Sequence, residues 1–162
     1  MIRKAKLDDV DIIMPMIEEG RKHIQTYNIP QWINGYPSVQ TIEDDINNKR
    51  GYVLINNNEI VGYFVLLEHD PCYDNINGKW NDNSRYIAVH RTVTKYFNMG
   101  LGTLMFDEIK KHYSHIRVDT HEGNISMNKC LLKNDFKYCG IIYLEDGSPR
   151  NAYEYSNKRI YQ

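Results

Sequence analysis

The apolar pattern of the first fifty residues predicts one strand followed by two helices. Residues 2–6 predict the strand, Asp8 is placed to cap the first helix, and Ser38 is placed to cap the second. Between the helices, residues 27–37 are too rich in aromatic residues, glycine and proline for a helix. The positions expected to face the core recur at helical spacing: Val10, Ile13, Met14 and Ile17, then Val39, Ile42 and Ile46.

Strand patterns dominate the middle of the chain. Residues 52–55 and 59–68 flank a turn-forming run of three asparagines, which predicts an antiparallel hairpin. The second of these strands is apolar on both faces, so we expect it to be central in the sheet. The polar stretch 69–85 then predicts a long loop, and loops of this length are commonly lids over binding sites.

In the second half of the chain, strands alternate with helices. The predicted elements are strand 86–93, a helix that begins at Gly100-Leu101-Gly102, strand 115–121, helix 124–133, and strands 136–144 and 151–155. A strand, a helix and a second strand in this order indicate one parallel crossover. We therefore expect an α/β (α+β) fold in a single domain over residues 1–162, with a mixed, mostly antiparallel central sheet, one parallel βαβ crossover and helices on both faces.

Composition narrows the classes of protein to which the chain can belong. A length of 162 residues, 41% of them apolar and 25% charged, fits one globular domain. The net charge of -1 provides no broad field for nucleic acid or anionic lipid. We find no apolar run of membrane-spanning length and no signal-peptide pattern. Three cysteines without C-x-x-C spacing indicate neither a disulfide framework nor a zinc site, so we expect a cytoplasmic protein.

The segment that is most informative about chemistry is Gly100-Leu101-Gly102-Thr103, where a loop leads into a helix. Glycines let a phosphate approach the backbone, and the free amides and positive dipole end of a first helical turn bind its charge. A purely structural tight turn explains the same glycines equally well. A Rossmann site is disfavoured because Met105 replaces its third glycine, and the chain has no Walker A motif. Calcium-loop and zincin spacings are also missing, so we expect no metal.

Several separated matches in chain order resemble the acetyl-CoA site of the GNAT acetyltransferase superfamily. They are Val93 through Thr103, the strand 115–121 and Asn124 through Phe136, and a likeness to a bacterial group within that family rests on Gln31-Trp32, Gly35-Tyr36-Pro37, His90-Arg91-Thr92-Val93, Asp119-Thr120-His121 and Tyr138-Cys139-Gly140. The resemblance implies the GNAT fold over essentially the whole chain, with acetyl-CoA as cosubstrate. It also implies that these residues contact CoA: Thr92, Val93, Thr94, Asn98, Met99, Gly100, Leu101, Gly102, Thr103 and Asn124.

Three positions depart from the family pattern. The usual arginine or glutamine before the glycines falls on Phe97, and the first glycine falls on Asn98. Binding of the diphosphate would then rest on backbone amides. The tyrosine that often protonates the departing thiolate falls on Leu131. An alkylamine of pKa about 10.4 must lose a proton before it attacks a thioester, whereas the leaving thiol has a pKa of about 8.5, so a base matters more than an acid.

Three residues are candidates for handling that proton. They are His90 within strand 86–93, His121 at the end of the next strand, and Glu68 at the end of the central strand. The sequence is equally consistent with His90 as a hydrogen-bonded histidine of the core. Glu68 has the alternative of a solvated residue at the end of a strand. A register ambiguity of one residue near Thr94 decides on which face of the sheet His90 lies.

Aromatic side chains are candidates for the pocket that binds the amine. Trp32, Tyr36 and Trp80 lie in the two irregular stretches, and aromatic faces attract cations. Packing in the core or in a lid is the alternative for each of them. The sequence thus predicts where an amine could bind without identifying which amine it is.

The predicted function is direct transfer of acetyl from acetyl-CoA to a primary amine of a small molecule or peptide. Cys130 as an acyl carrier is disfavoured because it falls on the apolar face of its helix. The alternative is a non-catalytic CoA-binding regulatory module of the same fold, and the departures at Leu131 and Phe97-Asn98 favour it. The oligomeric state does not follow from the sequence, and a homodimer stays open.

Overall fold

The computed structural model of the chain describes residues 1–157, which form an eight-stranded sheet flanked by four α-helices. The strands are β1 (Ile2–Lys4), β2 (Gly51–Asn56), β3 (Glu59–Leu67), β4 (Asn77–Gly78), β5 (Ile87–Thr94), β6 (His115–Thr120), β7 (Lys137–Tyr143) and β8 (Pro149–Ser156). The helices are α1 (Val10–Gln25), α2 (Val39–Asn47), α3 (Leu101–Lys110) and α4 (Ile125–Lys133), with short 3-10 helices at Leu7–Asp9 and Pro71–Asn75.

The strands are arranged in the order β1-β2-β3-β5-β6-β8-β7-β4. Every neighbouring pair is antiparallel except β5 and β6, which are parallel and joined through α3. The predicted mixed sheet with one βαβ crossover is confirmed. The central position predicted for β3 also holds, because β2 and β5 flank it and six of its nine residues are buried.

The two faces of the sheet are covered by different helices. Helices α3 and α4 pack on one face through Met105, Phe106 and Leu131, together with the strand residues that point that way. Helices α1 and α2 pack on the other face through Ile13 and Ile42. The prediction of helices on both faces is therefore confirmed, and we call the second side the α1/α2 face.

The stretch 69–85, predicted as a long loop that could act as a lid, is instead packed against the sheet. Tyr73 and Trp80 are buried there with Ala88 and Ala152, in a cluster that adjoins the α1/α2 face through Leu67. The indole Nε1 of Trp80 donates to the carbonyl of Tyr73 at 2.8 Å. This stretch therefore forms a wall of the fold on the α1/α2 face.

Local capping explains where the first two helices begin. The Ser38 hydroxyl accepts from the amide of Thr41 at 3.2 Å, which confirms the predicted cap of α2. At α1, Asp9 rather than Asp8 organises the start, because its carboxylate accepts from the amide of Lys6 and pairs with Arg3. Within residues 1–157, no helix is long and apolar enough to cross a membrane.

Candidate active site

Strands β5 and β6 run together briefly and then diverge. Ile87–Val89 pairs with Ile116–Val118, whereas His90, Val93 and Thr94 pair with β3 and, within residues 1–157, with no other strand. Beyond Val89, backbone groups on the β6 side of β5 are thus left without a strand partner, and they can bind the amides of an extended ligand. A cleft of about 830 Å³ opens at this divergence. It extends along the loop before α3 and under the end of α1.

A β-bulge in β5 determines where His90 points. The register between β3 and β5 shifts by one residue between Tyr63 and Val65. Arg91 lies at this shift with a left-handed φ of 50°, as a residue in a bulge can. The extra residue places His90 and Val93 on the same side of the sheet, the α1/α2 face. The register ambiguity left by the sequence is resolved in this way.

Asp45, on α2, is fully buried and holds the bulge in place. The guanidinium of Arg91 donates to both of its carboxylate oxygens, at 2.8 and 2.5 Å, and Arg50 donates at 2.9 Å. The hydroxyl of Tyr63 donates at 2.9 Å. Burial, with the negative charge of Asp45 adding to it, raises the pKa of Tyr63 well above its ordinary value. Arg91 also donates to the hydroxyl of Tyr36 at 2.7 Å, which fixes the aromatic stretch 27–37 beside β5.

His90 lies in the wall of the cleft between two carboxylates. Its Nε2 is 2.9 Å from Oδ2 of Asp70, and its Nδ1 is 3.7 Å from Oδ2 of Asp119. The contact with Asp70 is at ion-pair distance without hydrogen-bond geometry, and Nε2 itself is buried. With 20% of its side chain exposed, His90 remains accessible from the cleft. Asp70 and Asp119 thus place two carboxylates beside the imidazole ring.

The two carboxylates are themselves held by other groups. Tyr73 donates to Oδ2 of Asp119 at 2.6 Å, and burial followed by the charge of Asp119 raises the pKa of that tyrosine, so its hydroxyl remains a donor. Asp70 accepts from the amide of Cys72 at 2.9 Å. Burial raises the pKa of Asp70, but its contacts with His90 and Cys72 outweigh that effect and leave the pKa below its ordinary value. Asp70 is therefore ionised at neutral pH.

The same three residues are the candidate metal ligands of the described chain. Asp70, His90 and Asp119 each offer a ligand atom, and these atoms lie within 4.8 Å of one another. A histidine oriented by two carboxylates is equally the arrangement that proton transfer requires. The expectation that the protein binds no metal stays a prediction.

Most residues predicted to contact CoA line the cleft. They are Thr92, Val93, Thr94, Asn98, Gly100, Leu101, Gly102 and Asn124. The side chains of Met99 and Thr103 lie outside its lining, so any contact of these two residues with CoA rests on their backbone and stays a prediction. Met99 points into solvent, and the Thr103 hydroxyl accepts from the side chain of Asn134 at 3.2 Å. The contribution of the eight lining residues to CoA binding stays a prediction.

The two glycines at the start of α3 have different surroundings. Gly100 is left-handed with φ 73°, no side chain caps the helix there, and a Cβ at this position would meet nothing within 4 Å. A Cβ at Gly102 would lie 2.9 Å from Sγ of Cys130 on α4. Gly100 thus leaves space and free amides for an anion, while Gly102 also permits the close approach of α3 to α4.

A valine at Gly100 is therefore expected to weaken CoA binding by about tenfold or more, because it fills the space beside the first-turn amides. Gly147→Val is a matched control, since Gly147 has φ 85° and nothing within 4 Å of an added Cβ. Both variants should lose about 1–2 kcal/mol of unfolding free energy from left-handed strain. Calorimetry with CoA should separate them, and equal affinities would place the phosphate elsewhere.

The three departures from the family pattern have structural counterparts. The ring of Phe97 stacks on His23 of α1 with centroids 4.7 Å apart, so an aromatic contact anchors the loop where a polar side chain is usual. Leu131 is fully buried among the residues of α3 and α4 and does not line the cleft. From α4, Met127 and Cys130 line it instead.

Two of the three predicted proton-handling residues lie outside the cleft. Glu68 has 84% of its side chain exposed and lies 4.0 Å from Arg85, as a solvated strand end does. The Nδ1 atom of His121 accepts from the amide of Gly123 at 2.9 Å, so its ring is used to form a local turn. Of the three candidates, His90 is the one that lines the cleft, and a role in proton transfer stays a prediction for each of them.

Two of the three aromatic residues predicted to bind the amine line the cleft. Trp32 and Tyr36 line the cleft beside β5. Trp80 does not line it: only 7% of the residue is exposed, and the guanidinium of Arg117 covers its ring, so it lies in the core, which is the alternative that the sequence left open. The binding of an amine by Trp32 and Tyr36 stays a prediction.

The sequence patterns do not indicate Asp70 or Tyr73 as site residues, and they indicate Asp119 only as part of a motif. Asp70 precedes Pro71, a pair that signals a turn, and its side chain does cap the 3-10 helix that follows. No local pattern shows that this turn folds back onto His90. Arg150 was also missed; it lines the cleft next to the hairpin of β7 and β8.

Comparison with known proteins places this geometry in a family. No protein-family model matches the chain, and no curated protein matches its sequence. Among solved structures, an acetyltransferase of the GNAT family from Streptococcus agalactiae is 33% identical with a TM-score of 0.90, covering 98% of this chain and 96% of that one. A GNAT acetyltransferase from Bacillus cereus is 21% identical with a TM-score of 0.63, and 98% of each chain is covered.

A third similar structure contains coenzyme A. AAC(6')-Ib in complex with ribostamycin and coenzyme A is 15% identical with a TM-score of 0.68, covering 100% of this chain and 96% of that one. At this identity the likeness concerns the fold alone. The 33% identity and near-complete coverage of the streptococcal structure, together with the diverging β5 and β6, show that the chain belongs to the GNAT family of acetyltransferases.

Proposed function

We propose that the protein transfers the acetyl group of acetyl-CoA to a primary amine of a small molecule or peptide by direct attack. The observation that carries the proposal is His90, held between Asp70 and Asp119 where β5 and β6 diverge. Family membership supports acetyl transfer in general. The position of His90 supports an acceptor whose proton must be removed.

The cleft has the features that acetyl-CoA requires. Beyond Val89, β5 offers backbone groups for the pantetheine amides. The hydroxyl of Thr120 lines the cleft, where it is buried without a hydrogen-bond partner among residues 1–157. Gly100 leaves the first amides of α3 open to the diphosphate, and Lys129 adds a positive charge to the same wall. When bound, acetyl-CoA supplies an activated acyl group.

His90 then moves the proton of the acceptor. Its Nε2 faces Asp70 and is buried, so we assign the ring proton to this atom and the accepting lone pair to Nδ1. Nδ1 takes a proton from the acceptor ammonium, directly or through a water. The freed nitrogen forms a bond to the acetyl carbon, the bond from carbon to sulfur breaks, and its electron pair leaves with sulfur. The nitrogen then gives up a second proton, which reaches the thiolate through water and forms the thiol of CoA. Asp70 and Asp119 stabilise the imidazolium.

The remaining side chains of the cleft support a direct transfer. Burial raises the pKa of Cys130, which keeps it as a thiol and makes it a poor nucleophile. All three cysteines are free thiols, which supports a reducing, cytoplasmic setting. Trp32 and Tyr36 place aromatic surface where a cationic amine would enter.

Binding of the cosubstrate should be visible in thermal unfolding. At one hundred times its Kd, a ligand that binds only the folded state adds about 2.7 kcal/mol, which raises the Tm of a chain of this size by about 5–10 °C. Acetyl-CoA and CoA should both give this shift, and NAD or ATP should give clearly less. A flat response at millimolar CoA would refute the cosubstrate.

Turnover separates this proposal from the non-catalytic alternative. The buried Leu131 and the stacked Phe97 favour a module that binds CoA without using it. Thiol release from acetyl-CoA should rise above background when primary amines are added one at a time. A protein that binds acetyl-CoA tightly but releases no thiol with any amine, at any pH from 7 to 9.5, is the regulatory module instead.

A further inference from the structure

The cleft contains a buried cation that the reaction described above does not use. Arg150 is 8% exposed and lines the cleft, and its Nη1 donates to the carbonyl of Pro149 at 2.8 Å. Within residues 1–157, no carboxylate forms an ion pair with it, although Asp146 also lines the cleft. A buried guanidinium without an ion-pair partner is costly, because its charge is taken out of water with little compensation.

Arg150 lies near Asp119, one of the two carboxylates beside His90. Asp119 on β6 lies opposite Ala152 on β8, and Arg150 lies two residues before Ala152 on the same face. The backbone of Arg150 is therefore about 8 Å from that of Asp119, from a strand spacing of about 4.8 Å and a rise of about 3.3 Å per residue. Arg150 and His90, which lies beside Asp119, are therefore close enough for one small molecule to contact both.

The charges around Arg150 decide what kind of anion fits. Burial, followed by the positive charge of Arg150, lowers the pKa of His121, so that ring adds no second charge. Asp146 lies near enough that hydrogen bonds from Ser148, and then Arg150, lower the pKa of its carboxyl. With Asp119 and Asp70 close by, the cleft tolerates one added negative charge better than two. A carboxylate therefore fits Arg150 better than a phosphate dianion.

We propose that the acceptor is a small amino-carboxylate, whose carboxylate is bound by Arg150 while its amine lies at His90. The proposal rests on the proposed function for the amine and adds the chemical class of the molecule that carries it. A planar guanidinium can donate two parallel hydrogen bonds to a carboxylate. Amino acids and short ω-amino acids have this combination of groups.

Matched pairs of acceptors test the proposal on the unmodified protein. The members of each pair differ in the carboxylate: γ-aminobutyrate against n-butylamine, and L-alanine against L-alaninamide. Rates are compared per unprotonated amine, because the carboxylate also changes the pKa of the amine. A charged hydrogen-bonding partner changes affinity by about 10- to 100-fold. We expect kcat/KM to favour the carboxylate member of at least one pair by such a factor. Equal values within each pair would overturn the proposal.

Variants of Arg150 test whether this residue makes the difference. Arg150→Gln should lower kcat/KM for the preferred amino-carboxylate by about 10- to 100-fold and leave its carboxylate-free partner within about twofold. The kcat/KM of Arg150→Lys for the amino-carboxylate should lie between those of the unmodified protein and Arg150→Gln. An ammonium keeps the positive charge but cannot donate two parallel hydrogen bonds as a guanidinium does. Arg85→Gln is the control, since 87% of the Arg85 side chain is exposed. A rise in KM for acetyl-CoA instead would assign Arg150 to the cosubstrate and overturn the proposal.

A binding measurement separates this proposal from the proposed function. Calorimetry of the four compounds against the CoA-loaded protein needs no turnover. Selective binding of the carboxylate members, lost in Arg150→Gln, supports the site even if no amine is acetylated, in which case the proposed transfer fails alone. Transfer to amines without any carboxylate preference in binding or turnover overturns the carboxylate site and leaves the transfer standing.

Discussion

Replacing His90 by alanine is expected to lower turnover by about 10² to 10⁴-fold at pH 7 and to leave CoA affinity nearly unchanged. The reason is the proton of the acceptor, because an alkylammonium lies about three pKa units above neutrality and must be deprotonated before attack. The loss should shrink as the pH rises and free amine becomes abundant. Steady-state rates from pH 7 to 9.5, with CoA calorimetry alongside, make this measurement.

Two further variants keep that result interpretable. His112→Ala removes an exposed histidine that does not line the cleft, and it should have no effect on turnover. Leu131→Tyr should give no gain, since Leu131 is buried in the core and a larger ring there is overpacked. Unchanged turnover in a folded His90→Ala protein would remove His90 from the mechanism. Loss of folding, seen by circular dichroism, would assign it a structural role.

Removing the buried carboxylate of Asp45 should cost about 3–5 kcal/mol of unfolding free energy. Asp45→Ala leaves Arg91 as an uncompensated charge and the Tyr63 hydroxyl without its acceptor, both in the interior. Asp44→Ala is the matched control, because Asp44 is the neighbouring residue on the same helix and is exposed. It should cost less than about 0.5 kcal/mol. Urea unfolding of both variants measures the difference.

The pair of Asp45 and Arg91 can also be tested by a double-mutant cycle. Because they share one network, the double replacement by alanine should cost less than the sum of the two single replacements, by about 0.5–3 kcal/mol. If the costs simply add, the two side chains do not depend on each other. In that case Arg91 would hold the bulge of β5 by other means.

The fold was predictable because its signals are local. Alternation in residues 52–55 and 59–68, helical spacing in α1 and α2, and the cap at Ser38 each lie within a few residues of the element they define. Their order along the chain then restricts the sheet to few topologies. The role of Gly100 was also predictable, because glycine readily adopts the left-handed conformation that this residue has at the start of α3.

The site was only partly predictable, because its groups meet through long-range contacts. The bulge at Arg91 is a one-residue shift that no apolar pattern reveals, yet it determines the face on which His90 lies. Asp70 reaches His90 from a stretch that composition presented as an open loop. Trp80 looked like a pocket residue because a tryptophan in a polar stretch carries no local sign of burial.

Direct transfer can be followed on the acetyl group itself. Acetyl-CoA labelled in its acetyl group is incubated with the protein and an amine, and both protein and small molecules are analysed by mass spectrometry. Direct transfer places the label on the nitrogen of the amine and none on the protein, and His90→Ala should form far less product. Label on Cys130, or CoA bound with no labelled amine, would contradict direct transfer.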